Sequence, residues 1–251
     1  MTICLAAILL VLMIFVGGKR GAKTFCALYM NIFLLVFTVF LIACGVPAIP
    51  ATLVGCIIIS VVTLFFINGT NKKTINAFFA ILTVLVIMTA VIFIIGANSH
   101  IEGFADENTD EICWYSTDIG LDMVDVAISM ILMGLIGAII DTAIAITSAL
   151  NEVYENNTHL TVKELFLSGM SIGRDILGTT TNTLFFAYLG GFMTLIIWFE
   201  AYDYSIWEII NSKVFCQQFL QIMCSGLGCV LIIPVASFFM AKSLKKPAKQ
   251  Q

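Results

Sequence analysis

The chain has 251 residues, 60% hydrophobic and 11% charged, with a net charge of −4 and a mean hydropathy of +1.05. Soluble domains carry about 25% charged residues, so the composition excludes one and marks an integral membrane protein surrounded by the lipid bilayer. No basic patch large enough to hold nucleic acid remains.

Crossing a bilayer takes about 20 apolar residues. In chain order the apolar runs are 2–16, 24–45, 51–67, 74–97, 123–147, 176–199 and 214–241. They predict a single all-α domain over 1–251, a polytopic transmembrane helical bundle of about seven spans. The first run has no basic residue before it and no small-residue cleavage site after it. It is followed by Gly17-Gly18-Lys19-Arg20 and reads as a helix rather than a signal segment. Breaks fall at Gly17-Gly18, at Pro47 to Pro50, at Asn68-Gly-Thr-Asn71 and over the polar stretch 98–118.

Cytoplasmic loops carry excess Lys and Arg. With the N-terminus outside, Lys19, Arg20, Lys23, Lys72, Lys73, Lys163, Arg174, Lys242, Lys245, Lys246 and Lys249 fall inside, and only Lys213 falls outside. These account for all twelve basic residues and predict an N-out, C-in topology. The sequons at Asn68 and Asn156 then lie on the cytoplasmic side and are chance matches. The acidic loop from Glu102 to Glu111 lies outside, as do Cys113 and Cys216, for which a disulfide is one option and free thiols the other. The other six cysteines sit in apolar runs, where cysteine packs as a small hydrophobe. No Cys-x-x-Cys or other metal-ligand spacing occurs.

The linker 150–174 opens a short amphipathic helix over 161–172. Thr161-Val-Lys-Glu164 is a capping-box pattern. Val162, Leu165, Phe166 and Met170 recur at helical spacing, so the helix is predicted to lie on the cytoplasmic membrane face, with a bend at Gly173 into the sixth span.

The fifth span carries Asp141 inside hydrocarbon, which costs several kcal/mol unless the carboxylate faces protein, a partner or water. If this span enters lipid near Asp125, Asp141 lies about 6 Å from the cytoplasmic edge, at about 1.5 Å per residue. Asn182, on the returning sixth span, lies about 9 Å in by the same rise. Thr142, Thr179 and Thr181 fall near this layer. Such oxygens suit a hard cation or a proton relay. Asp122, Asp125, Ser129, Gly137, Asp141 and Ser148 recur near helical spacing and predict a polar seam along one face. The competing reading makes Gly134, Gly137, Thr142 and Ser148 packing contacts, with Asp141 clamped to Arg174. Arg174-Asp175 at the mouth of the sixth span are candidates for a gate pair. Gln217, Gln218 and Gln221 read as solvation at the outer interface.

Two segments together carry a family resemblance: Gly137-Ala-Ile-Ile-Asp141-Thr-Ala-Ile-Ala-Ile-Thr-Ser-Ala-Leu-Asn-Glu152 and Gly169-Met-Ser-Ile-Gly-Arg174-Asp175-Ile-Leu-Gly-Thr179-Thr-Thr-Asn182-Thr-Leu-Phe-Phe-Ala-Tyr-Leu-Gly190. The region from about Asp118 onward resembles the YibE/F family of bacterial multi-pass membrane proteins, and the first four spans resemble it in hydropathy. The length resembles the shorter, YibF-type members, which implies the bacterial inner membrane and a YibE-type partner. From the residues, the first functional reading is a transporter or channel subunit for a cation or proton. The second is a non-transporting scaffold or partner subunit in a YibE–YibF complex or homo-oligomer. An intramembrane hydrolase using Asp141 and Asp175 lacks the Gly-x-Gly-Asp-like context. No phosphate loop, Ser–His pair or metal motif occurs, so neither enzymatic chemistry nor a cofactor is expected.

Overall fold

The computed structural model describes residues 1–98, 120, 122–201 and 203–245. The acidic loop, His100 and Cys113 lie outside the described residues. Among those described, every regular element is helical. The helices are α1 (Thr2–Ala43), α2 (Ala48–Val61, continuing as a π-helical turn, Val62–Phe66), α3 (Lys72–Asn98), α4 (Met123–Asn156), α5 (Val162–Ala201), α6 (Ile206–Asn211) and α7 (Lys213–Lys245).

The Gly17-Gly18 break divides α1. Gly18 takes φ 54° and ψ −135°, a conformation that L side chains resist. A Cβ on Gly21 would run into the carbonyl of Met13. Eight residues of straight helix span about 12 Å, so the chain folds back at Gly18. Ala6, Leu10 and Met13 form the half-buried stripe of the first segment. α2 starts at Ala48 rather than 51, because Pro50 falls in its first turn, where a missing N–H costs nothing.

α4 and α7 form the centre. They pack on each other and on α3 and α5, with α2 against α4 and α1 outside α2. Ile128, Leu132, Leu135 and Ile139 of α4 meet Ile232, Ala236 and Met240 of α7 and Val84 and Met88 of α3 in one buried cluster. Lipid supplies little hydrophobic drive between helices, so close approach through small residues decides the contacts. A Cβ on Gly228 would lie 3.0 Å from Ile139 Cδ1, and one on Gly96 2.7 Å from Ile128 Cγ1.

Two ends of the bundle are defined. At one, Asn76 Nδ2 donates to Met240 Sδ (3.6 Å) and Lys245 Nζ to the Thr158 carbonyl (2.9 Å). At the other, Gln217 Nε2 donates to Met130 Sδ (3.9 Å). α4 and α7 are therefore parallel, and α3 and α5 run against them. This gathers Lys72, Lys73, Lys163, Lys242 and Lys245 at one end.

The predicted interfacial helix is not a separate element. Its capping box forms, with Thr161 N donating to Glu164 Oε2 (2.7 Å) and Glu164 N to Thr161 Oγ1 (3.3 Å). The helix then continues unbroken through Gly173 as α5. Gly169 and Gly173 are not hinges. Their missing Cβ atoms make room for Ser237 and Ile233 of α7. The bend comes later, at 48° between Val162–Gly191 and Leu195–Ala201. α4 also outruns its expected end at 147, reaching Asn156.

Among the described residues, five helices are long and apolar enough to cross a membrane, or six when bent α5 counts as one. α6 escaped the sequence reading. Ser205 and Glu208 cap it reciprocally, and these hydrogen bonds, led by the Ser205 hydroxyl, hold the Glu208 carboxyl below its ordinary range.

Candidate functional site

α4 carries the acidic seam, and its start accounts for two of the three carboxylates. Asp122 is the N-cap and accepts from Val124 N at 2.9 Å, while Asp125 lies in the first turn. Both favour the positive end of the helix dipole. Beyond them the seam splits. Ser129 is buried, whereas Gly137 and Asp141 are exposed. At about 100° per residue, Ser129 and Asp141 point about 120° apart, so spacing by near multiples of a turn does not keep one face.

The midpoint of α4 falls between Ile139 and Ile140, so Asp141 sits about 2 Å from it at about 1.5 Å per residue. Among the described residues, no hydrogen bond or ion pair engages its carboxylate, and none joins it to Arg174 or Asp175. Gly137, one turn earlier, has nothing within 4 Å of where its Cβ would be. The isolated chain therefore presents an open, acidic face at mid-helix. Thr142, the next residue, is 1% exposed. It donates to Ala138 O (2.8 Å) and lies 3.7 Å from Cys229 Sγ of α7, which makes it a packing residue. Ser148 is half-buried.

On α5, Arg174, Asp175, Thr179 and Asn182 are exposed and Thr181 is half-buried. Thr179 Oγ1 donates to the Ile176 carbonyl at 2.9 Å. Two contacts pin α5 against α4. Tyr188 OH donates to Gly134 O at 3.2 Å, and a Cβ on Gly169 would lie 2.9 Å from Leu150 Cδ1. Linear interpolation between these anchors sets Asp141 level with about Thr179 and Thr180, and Asn182 about 3 Å nearer the Tyr188 end. Thr179 and Asn182, three residues apart, share a helix face.

The sequence reading missed one polar junction. Gln221, taken as interfacial, is 8% exposed. Its Nε2 donates to Tyr188 OH at 3.4 Å. A Cβ on Gly134 would collide with the Gln221 amide and lie 2.8 Å from Tyr188 OH. α4, α5 and α7 thus meet at a glycine that leaves space for an amide and a phenol. A Gln within one apolar helix and a glycine within another are the signal in the sequence. Among the described residues, no cluster of three His, Cys, Asp or Glu side chains could hold a metal ion.

The protein family described as YibE/F-like protein matches residues 5–246. The match takes in the first four spans, where the residues alone gave only a hydropathy likeness. No curated protein and no solved structure matches the chain.

Proposed function

Because the chain belongs to the YibE/F family, and because a carboxylate stands open at the middle of its central helix, we propose that it is a non-enzymatic transport or channel subunit of the bacterial inner membrane. It moves a cation or a proton past Asp141. The supporting observation is the exposure of Asp141 beside open Gly137. A carboxylate left against lipid inside a span costs several kcal/mol unless it is covered. Water or another chain must therefore cover this face. Thr179 at the same height and Asn182 about 3 Å further along α5 supply neutral oxygens, the donor set a hard cation accepts. A YibE-type subunit or a second copy of this chain closes the path. In isolated vesicles the assembled protein should dissipate a cation or proton gradient several-fold faster than lipid alone, and rates equal to protein-free vesicles would overturn the reading.

The proposal includes seven spans. The fold at Gly18 turns α1 into two crossings, and α2, α3, α4, α5 and α7 supply five. With the lysine-rich end in the cytoplasm, the N-terminus is outside and the C-terminus inside. In a background lacking Cys4, Cys26, Cys44, Cys113 and Cys216, a maleimide that cannot cross membranes should leave Ser243→Cys unlabelled in intact cells and label it after permeabilisation. Labelling before permeabilisation would invert the orientation.

A further inference from the structure

A cavity of about 430 Å³ lies between the second half of α1, α2, α4 and α7, within the range of about 300–1,000 Å³ usual for ligand sites. Its walls are mostly apolar, with Leu35, Met130 and Met133 prominent, and no charged side chain lines it. Its polar groups are Thr52, Ser129 and Gln221, with Thr38 at the side. Thr52 is fully buried and Ser129 is 4% exposed, and neither hydroxyl has a hydrogen-bond partner. Three other hydroxyls in these helices avoid that state by donating to the carbonyl four residues back, whereas the buried Ser225 and Ser237 hydroxyls of α7 share it. Thr38 does so at 2.8 Å, Ser60 at 2.7 Å and Thr142 at 2.8 Å. Thr52 and Ser129 forgo this bond, and a buried polar group without a partner is costly. The lining residues Leu35, Val39 and Met130 are themselves 44%, 56% and 41% exposed, so the cavity opens sideways on the flank of the bundle, where lipid lies.

We propose that this cavity binds a neutral, lipid-soluble molecule with an aliphatic body and one hydrogen-bonding head of the alcohol or carbonyl class, which enters from the bilayer head first and bonds to Thr52 and Ser129. The lack of charge in the lining excludes ionic heads, since a buried charge needs a partner. The apolar walls take the chain, and two hydroxyls with free donor and acceptor capacity take the head. The site is independent of the Asp141 path, because Ser129 and Asp141 face about 120° apart on α4.

The test uses the full chain in lipid nanodiscs and a diazirine-bearing decanol as photoprobe. Labelling should concentrate on peptides carrying residues 35–42 and 126–134. Excess 1-decanol should suppress it and decane should not. Ser129→Ala and Thr52→Val should each weaken the competition by 1-decanol about five-fold, the usual worth of one hydrogen bond. Thr83→Val, on the outer flank of α3, should leave it unchanged. Either hydroxyl variant suffices if the other does not fold. Equal competition by decane, unchanged competition in both hydroxyl variants, or labelling spread evenly over the lipid-facing residues of α3 would overturn the proposal.

Discussion

Replacing Asp141 with Asn should reduce cation or proton flux through reconstituted vesicles to the level of protein-free vesicles, while leaving the protein folded. The side chain keeps its size and loses its charge. Among the described residues the carboxylate has no hydrogen bond or ion pair to forfeit, so thermal stability should stay within about 0.5 kcal/mol, as for other surface changes. A structural clamp between Asp141 and Arg174 makes the contrary forecast. In that case Asp141→Asn and Arg174→Gln would each destabilise the protein, and the double variant would cost less than the sum of the two. Flux and melting measured on the two single variants and the double variant separate these outcomes. Wild-type flux in Asp141→Asn would remove Asp141 from the path.

A large loss of stability should follow Gly173→Ala. A Cβ at this position would overlap Ile233 Cγ2 and lie 3.0 Å from Ile233 Cγ1. Ile233 is 4% exposed and held between α7 and its neighbours, so it has no space into which to move. Overpacking of this kind costs about 1–3 kcal/mol and occasionally more, and here it would pry α5 from α7. Gly178 is the matched control. It lies in the same helix, but nothing is within 4 Å of where its Cβ would be. Gly178→Ala should be neutral or should stabilise by up to about 1 kcal/mol, the helix-propensity gain over glycine. Thermal melting in detergent decides the matter, and equal effects at the two glycines would contradict the packing described.

The long apolar helices themselves were legible because lipid imposes long apolar runs, and Gly17-Gly18 and Pro47 mark real breaks. The far end of α4 was not, because hydropathy follows lipid rather than helix. Asn151, Glu152 and Glu155 read as linker, although Leu150, Val153 and Tyr154 keep the helical stripe on the packed side. Gly173 read as a hinge because its reason for being glycine, Ile233, lies on another helix. Gln221 read as interfacial for the same cause, since its partner Tyr188 belongs to α5. Asp141 was conspicuous in the sequence as a lone acid in an apolar run. Its direction was not, because small errors in phase accumulate along α4, and a seam drawn from Ser129 to Asp141 turns through about 120°.

The environment of position 141 in the membrane tests the central claim most directly. A nitroxide can be attached to Asp141→Cys in a background lacking Cys4, Cys26, Cys44, Cys113 and Cys216, with Val86→Cys as the lipid-facing reference, since Val86 of α3 is 70% exposed. In the bilayer-reconstituted complex, the label at 141 should collide little with oxygen and measurably with a water-soluble nickel chelate, while the label at 86 should show the reverse. Oxygen collisions at 141 as frequent as at 86, with none from the nickel chelate, would place the Asp141 face against lipid and contradict the proposal.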